Sequence, residues 1–263
     1  AGNHSQGCSL SAQLCGMKCI VYMPQTAPGS KVRATQHYGA EVRQIGQSFD
    51  EANEQCIKDC QANPDWTFVP PFDCNEVIAG QGTIGLEVLE QVKDVDYIVI
   101  AVGGGGLAAG VGTAIKTLSP KTKVIAVNAA LRPATYLKYK QEKKLPYDES
   151  VIEYSKKPLK PLADGIADIN PGKVTFPYVL KVVDDFVVVS EEEIANAIAL
   201  LGERMKIIVE GAGASTVAAV LFKKFEYPKG AKIVCVTSGG NIELSRFSEC
   251  CEISKDFLIK TNC

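Results

Sequence analysis

Hydrophobic residues along this chain gather into short runs, separated by longer stretches in which apolar positions recur with a helical period. The runs are CIVYM at 19–23, IVIAV at 98–102, KVIAV at 123–127, VDDFVVV at 183–189 and IVCVT at 233–237. Runs of this length bounded by charge, glycine or proline predict strands buried on both faces. Residues 41–45 and 67–69 predict two further strands, the second stopped by Pro70 and Pro71. Helices are predicted over 8–14, 31–38, 49–60, 79–92, 107–118, 191–203 and 211–222. The helix at 191 opens on Ser190 with Glu193 three residues later, the pattern of a capping box. Residues 131–160, rich in lysine and tyrosine, predict a surface helix and a long solvated loop. Strands alternating with helices at this spacing mean an α/β chain with parallel sheet.

The densest pattern is IVIAVGGGGLAAGVGTAIK at 98–116, a strand, four glycines and a helix start. Such a turn points several backbone N–H groups at one spot, and the helix dipole adds partial positive charge there. Glycine lets a backbone approach an anion closely from several sides. The loop therefore predicts a phosphate site. Gly103, Gly105 and Ala108 fit the dinucleotide pattern G-x-G-x-x-A, but that fingerprint wants an acid at the end of the next strand. Asn128 stands there, which disfavours an NAD-dependent oxidoreductase. No Gly-Lys-Ser/Thr closes the loop as in a nucleotide-triphosphate site.

Composition narrows the classes. The 263 residues suffice for one or two domains with a full core, and 46% hydrophobic with 22% charged residues is ordinary for a globular protein. A net charge of -2 gives no electrostatic case for nucleic acid or a membrane surface. No apolar run reaches transmembrane length and no signal peptide is seen, so a cytoplasmic protein is expected. Ten cysteines in a chain this long are read as reduced thiols rather than staples. Cys15 and Cys19, and Cys56 and Cys60, stand four apart as on one helical face, and a core face is favoured over a metal pair. The chain opens on Ala1 inside a polar turn, which predicts that an N-terminal portion precedes it. The polar loops Gly2-Asn3-His4, 103–106 and Ser238-Gly239-Gly240-Asn241 are expected to converge on one cleft, because ligands of parallel sheets bind at the carboxyl ends of strands.

Six stretches in order, AGNHSQG, IAGQGTIGLE, VGGGGLAAG, LADGIADINPG, VEGAGA and SGGNIELSR, resemble the pyridoxal-phosphate (PLP) enzymes of the tryptophan-synthase-β fold type. Within them the catabolic threonine/serine dehydratases are most similar. The resemblance runs from Gly2 to about Ser248 and is weakest over 128–160. It implies a two-domain parallel-sheet fold, N-terminally truncated, with 1–68 the remainder of a small domain and 69–263 the large PLP-binding domain. It also implies deamination of L-threonine to 2-oxobutanoate and of L-serine to pyruvate, and a homodimer or homotetramer in the complete enzyme.

The resemblance carries roles to particular residues. Asn3 falls on the asparagine that bonds the PLP 3-hydroxyl, and Gly2, Asn3 and His4 on the segment that grips the substrate carboxylate. Phe72 falls where a residue lies along the pyridine ring. Gly103, Gly104, Gly105, Gly106 and Leu107 form the phosphate cup, and Ser238 faces the pyridine nitrogen. These pairings are chemically sensible, since a dianion needs backbone donors and a neutral ring nitrogen needs a hydroxyl donor. Two departures matter. The Schiff-base lysine of the family lies in a Ser-x-Lys-x-Arg-Gly motif upstream of the segment that opens this chain, so no catalytic lysine is assigned here. Related serine racemases place acidic metal ligands after the strand that here ends at Asn128, where this chain reads NAALRPA without a carboxylate. No metal site is expected. Alternatives are a serine racemase-like enzyme or a non-catalytic PLP-binding fragment. No C-terminal regulatory domain is expected after Asn262, nor feedback by isoleucine.

Overall fold

The computed structural model describes residues 2–168 and 170–260, so Ala1, Ile169 and the terminal residues that include Asn262 lie outside it. The chain divides into two compact units, Ala1–Pro71 and Phe72–Cys263.

The smaller unit holds helix α1 (Asn3–Leu14), strand β1 (Ile20–Met23), helix α2 (Gly29–His37), strand β2 (Glu41–Gln44) and helix α3 (Phe49–Ala62). β1 and β2 pair in parallel, with Ile20 opposite Glu41 and Met23 opposite Gln44. α3 starts where Ser48 Oγ accepts from Glu51 N at 3.3 Å, with Asp50 and Glu51 against the positive end of the helix dipole. Arg43 lies 5.6 Å from the Tyr22 ring and 5.5 Å from the Trp66 ring, a cation between two aromatic faces. Three expectations change. α1 begins at Asn3 rather than at residue 8, so the polar opening is the first turn of a helix. Cys15 caps the end of α1 and Cys19 lies beyond it, so these two do not share a helical face. Residues 67–69 form no strand. Pro70 and Pro71 cannot donate to a ladder, and the Val69 carbonyl is bonded instead by the His4 ring at 3.1 Å.

The larger unit runs α4 (Asn75–Gln91), β3 (Tyr97–Ala101), α5 (Gly106–Leu118), β4 (Lys123–Ala129), α6 (Ala134–Glu142), α7 (Ser150–Ser155), α8 (Thr175–Val182), β5 (Asp185–Val189), α9 (Glu191–Leu200), α10 (Gly211–Leu221), β6 (Ile233–Cys235), α11 (Leu244–Ile253) and α12 (Lys255–Lys260). Its four strands lie in the order β5-β4-β3-β6, all parallel. The pleat sorts the apolar runs into two cores. Ile98, Ile100 and Val102 join Val124, Ala126 and Phe186 in the cluster that holds Val111 and Ile115 of α5 and Val179 of α8. Val99 and Ala101 join Ile125, Val127, Val187 and Val189 against Ile194 and Ile198 of α9 and Ala214 and Ala218 of α10. Ile98, Val99 and Ile100 are fully buried. Each such side chain contributes about 1.5–3 kcal/mol of transfer free energy, which makes β3 the floor on which the following loop rests.

The capping box at Ser190 is present, with Glu193 N donating to Ser190 Oγ and Ser190 N to Glu193 Oε2. α9 stops at Leu200 and passes into a π turn, Leu201–Met205, short of the expected 203. α4 starts at Asn75, not 79. Residues 131–160 depart further from expectation. α6 is no surface helix, because Tyr136 and Tyr139 are buried in the α5 core, and the Tyr139 hydroxyl donates to Val183 O at 3.0 Å. None of the helices among the described residues is long and apolar enough to cross a membrane.

Candidate functional site

From β3 the chain passes through Val102 and the four glycines into α5, all of it buried. Gly105 is the N-cap of α5 with φ 101° and ψ -5°, a left-handed conformation that suits glycine, and no side chain caps the helix. The first amides of α5 therefore face out of the helix end, where the dipole favours an anion.

Side chains from distant elements draw the loop carbonyls away from that edge. Asn128 Nδ2 donates to Val102 O at 2.8 Å, and Thr135 Oγ1 to Gly103 O at 2.7 Å. Gly104 O accepts from Thr175 Oγ1 at 2.6 Å and from Gly172 N at 3.0 Å. Gly105 O accepts from Ala109 N at 2.9 Å. With its oxygens committed, the loop turns its N–H groups the other way. The Asp168 carboxylate lies against Gly103, where a side-chain carbon would overlap its Oδ2.

Two neighbours fix this arrangement. The Asp73 carboxylate accepts from Lys173 N at 2.9 Å, Val174 N at 2.8 Å and Thr175 N at 3.1 Å, which caps α8 and holds Thr175 under the loop. The Phe72 ring lies against Gly104, so closely that a side-chain carbon there would overlap it, and Phe72 Cβ and backbone lie against Gly106. Leu107 turns its side chain into the α5 core, so only its backbone can serve a ligand.

β6 lies beside β3, and Val236 N extends the pairing to Val99 O at 3.0 Å. The loop carrying Ser238 thus leaves the same carboxyl edge as the glycine loop, on the adjacent strand. Glu210, buried at the start of α10, holds it from both sides. Its N–H donates to Gly239 O at 3.0 Å, and its Oε2 accepts from Asn241 N at 2.9 Å. The sequence reading missed Asn128, Thr135, Thr175, Asp73 and Glu210 as supports of these loops. From the sequence, Asn128 shows only that the acid of a dinucleotide site is missing.

In the smaller unit, Gly2 caps α1 with φ 103° and ψ -140°. Ser5 Oγ donates to Gly2 O at 2.9 Å and meets Thr35 Oγ1 at 3.1 Å. Asn3 is exposed on the first turn. Burial lowers the His4 pKa, partly opposed by its bond to Val69 O, so the ring is neutral at pH 7. A separate cleft of about 420 Å³, lined by Asp148, Tyr154, Lys157, Glu193 and Lys224 among others, includes none of these residues.

A parallel sheet whose central strand ends in an amide-lined glycine loop, beside a second loop on the neighbouring strand, defines an α/β protein built to hold a phosphorylated ligand. The chain belongs to the family of pyridoxal-phosphate dependent enzymes, which matches it over residues 1–239. It is 45% identical over 248 residues to the L-threonine ammonia-lyase of Geobacter sulfurreducens, an alignment covering 94% of this chain and 59% of that protein. It thus spans about three fifths of that relative. Among solved structures it resembles the processed form of threonine deaminase isoform 2 from Solanum lycopersicum, with TM-score 0.82 and 31% identity over 97% of this chain and 68% of that one. It also resembles the serine racemase of Dictyostelium discoideum, with TM-score 0.79 and 36% identity over 92% of this chain and 75% of that one.

Proposed function

We propose that this chain is the greater part of a PLP-dependent L-threonine ammonia-lyase that also deaminates L-serine, and that the lysine anchoring the cofactor lies upstream of it. On this reading the smaller unit is the remainder of the small domain and the larger unit is the PLP-binding domain. The observation that carries the reading is the glycine loop, with its carbonyls bonded away and its amides left at the positive end of the α5 dipole. That donor set suits a phosphate dianion.

The N–H groups of Gly103, Gly104, Gly105 and Gly106 and the backbone of Leu107 would hold the phosphate, with Phe72 flanking the ring. Ser238 would donate to the pyridine nitrogen and Asn3 to the 3-hydroxyl. The first turn of α1, at Gly2, Asn3 and His4, would take the substrate carboxylate on helix-end amides. Bound PLP supplies the electron sink for the pair left when the α-proton is removed, and a hydroxyl at its nitrogen keeps that sink weak, which favours prompt loss of the β-hydroxyl.

The structural likeness to a racemase supports a second reading, a serine racemase-like enzyme. The stretch NAALRPA, from the last two residues of β4 onward, offers no carboxylate to a cation, which favours elimination without metal. The test restores an upstream segment carrying the lysine and assays 2-oxobutanoate from L-threonine with and without chelator. Activity in both is expected, and none from the 263-residue chain alone. Activity lost in chelator and regained with magnesium would favour the racemase-like reading. Deaminase activity of the short chain, with one pyridoxyl-lysine trapped by borohydride, would overturn the placement of the lysine.

A further inference from the structure

We propose that Glu191 is a positioning residue of the phosphate cup, an acid that sets one wall of the glycine loop by holding the backbone of Leu162. The inference rests on the reading of that loop as a phosphate site, and it adds a residue that acts through another rather than on the ligand.

The wall is the segment 158–168. Up to Ala163 it belongs to no helix or strand, so its backbone groups must find partners one by one. Pro158 and Pro161 have no N–H to give. Two side chains from other elements hold the stretch. Arg246 Nη2, on α11, donates to Lys160 O at 3.0 Å. Leu162 N donates to Glu191 Oε2 at 2.6 Å. From there the chain turns at once towards the cup. Ile166 N donates to Ala163 O at 3.1 Å and closes the short turn Asp164–Ile166. Ile166 and Asp168 then lie against Gly103, where a side-chain carbon would sit 2.9 Å from Ile166 Cα and overlap Asp168 Oδ2. On the other side, Leu162 O and Ala163 N lie so close to Gly211 of α10 that a side-chain carbon there would overlap them. Wedged between α10 and the glycine loop, the segment passes a shift at Leu162 on to Gly103 rather than absorbing it.

Glu191 is a fixed point for this purpose. It is the first residue of α9, directly after Ser190 and its capping box. Its own N–H donates to the Tyr154 hydroxyl at 3.0 Å, and Ile194 and Ile198 of the same helix are fully buried in the core. A glutamate that opens a helix can lie in solvent and still favour the dipole. This one is turned inward, with 9% of the residue exposed, and its Oε1 is buried without a hydrogen-bond partner among the described residues. Burial pushes its pKa up, and the Leu162 N–H leads the groups that pull it back. The acid gives up hydration on both oxygens for one bond to the wall.

The experiment uses the 263-residue chain with Glu191→Gln, Glu191→Leu and Glu191→Asp. Gln keeps an acceptor at the same reach, Leu keeps the bulk without an acceptor, and Asp keeps the charge but draws it back by one methylene. The probe is pyridoxine 5′-phosphate, which has no aldehyde and so needs no lysine, with pyridoxine as control, titrated well below the unfolding transition of each protein. Glu191→Gln is expected to bind the phosphate within about twofold of the parent, and Glu191→Leu and Glu191→Asp about tenfold more weakly, the scale of a buried donor left unpaired. Pyridoxine should not discriminate among the proteins. In ¹⁵N-glycine spectra without ligand, the Gly103 amide should move in the Leu and Asp variants and stay in the Gln variant. Lower stability with parent-like affinity and an unmoved Gly103 would make Glu191 merely structural and overturn the inference. Binding by Glu191→Gln as weak as by Glu191→Leu would overturn it too, because the acceptor would then not matter. Should Glu191→Leu fail to fold, Glu191→Asp decides by the same readings. No binding of pyridoxine 5′-phosphate by the parent would instead sink the reading of the loop, and the inference with it.

Discussion

α5 and α1 begin alike, yet they are held in different ways. Each opens on a glycine with φ near 100°, 101° at Gly105 and 103° at Gly2, and neither glycine has a side chain to cap its helix. At α5 the preceding carbonyls are taken by Asn128, Thr135, Thr175 and Gly172, which arrive from other elements. At α1 the Gly2 carbonyl is taken from within the same turn, by Ser5 Oγ and by Gln6 N. Glycine supplies the shape in both cases, whereas the loop carbonyls are bonded from other elements at α5 and the Gly2 carbonyl from within its own turn at α1.

The comparison can be broken first at the cup. Gly104→Asp drives a side chain into the Phe72 ring and a charge into an anion site. Loss of pyridoxine 5′-phosphate binding by at least about a hundredfold is expected in equilibrium titration, a cost of two powers of ten or some 2.7 kcal/mol. Unchanged affinity would mean that the loop is only a turn. Thr135→Val comes next. It removes the hydroxyl bonded to the buried Gly103 carbonyl, and leaving such a group unpaired costs about 1–3 kcal/mol. Urea unfolding of the larger unit, followed by circular dichroism, should show the loss together with weaker phosphate binding. A change in neither would remove Thr135 from the support of the loop.

Gly2→Ala tests the other helix start. An added side-chain carbon meets nothing within 4 Å, so the whole cost is backbone strain, about 1 kcal/mol for a conformation that few residues but glycine adopt. Trp66, the single tryptophan, lies in the smaller unit and reports its unfolding by fluorescence. A parent-like midpoint would show that α1 relaxes at no cost. The smallest effect is expected from pH. Burial holds the His4 pKa below its usual value of about 6.5. The stability it contributes is present above that pH and is lost as pH falls through the usual value toward the folded one. Acidification should therefore lower the Trp66 midpoint in the parent more than in His4→Gln. Equal acid sensitivity would place the effect elsewhere.

What could be read from the chain in advance was local. The run at 98–102, the glycines and the helix after them adjoin one another, and so do Ser190 and Glu193, so pattern alone located them. The supports of the cup could not be read this way. Thr135 and Thr175 bond glycines 32 and 71 positions away, and no spacing rule announces them. α8 was missed for the same reason, since its capping group is Asp73, about a hundred residues earlier, and Pro177 within it argues against a helix. The first turn of α1 was missed because Gly2 gives none of the usual capping signals. In 131–160 lysine suggested a wet surface, whereas the tyrosines between the lysines carried the buried face of α6.

The separation between the glycines and their supports also sets an order in time. β3 and α5 are neighbours in sequence and can associate early in folding, but the carbonyls between them stay unclaimed until β4, α6 and α8 have docked. Contacts that close long stretches of chain form late, because their entropy must be met before they return anything. During synthesis, a nascent chain that has not yet exposed Thr175 would carry the glycines without a finished cup. Pulse-labelled hydrogen exchange should find the amides of Ile98, Val99 and Ile100 protected before those of Gly172 and Thr175, which are bonded only once α8 has docked, and simultaneous protection would contradict this order.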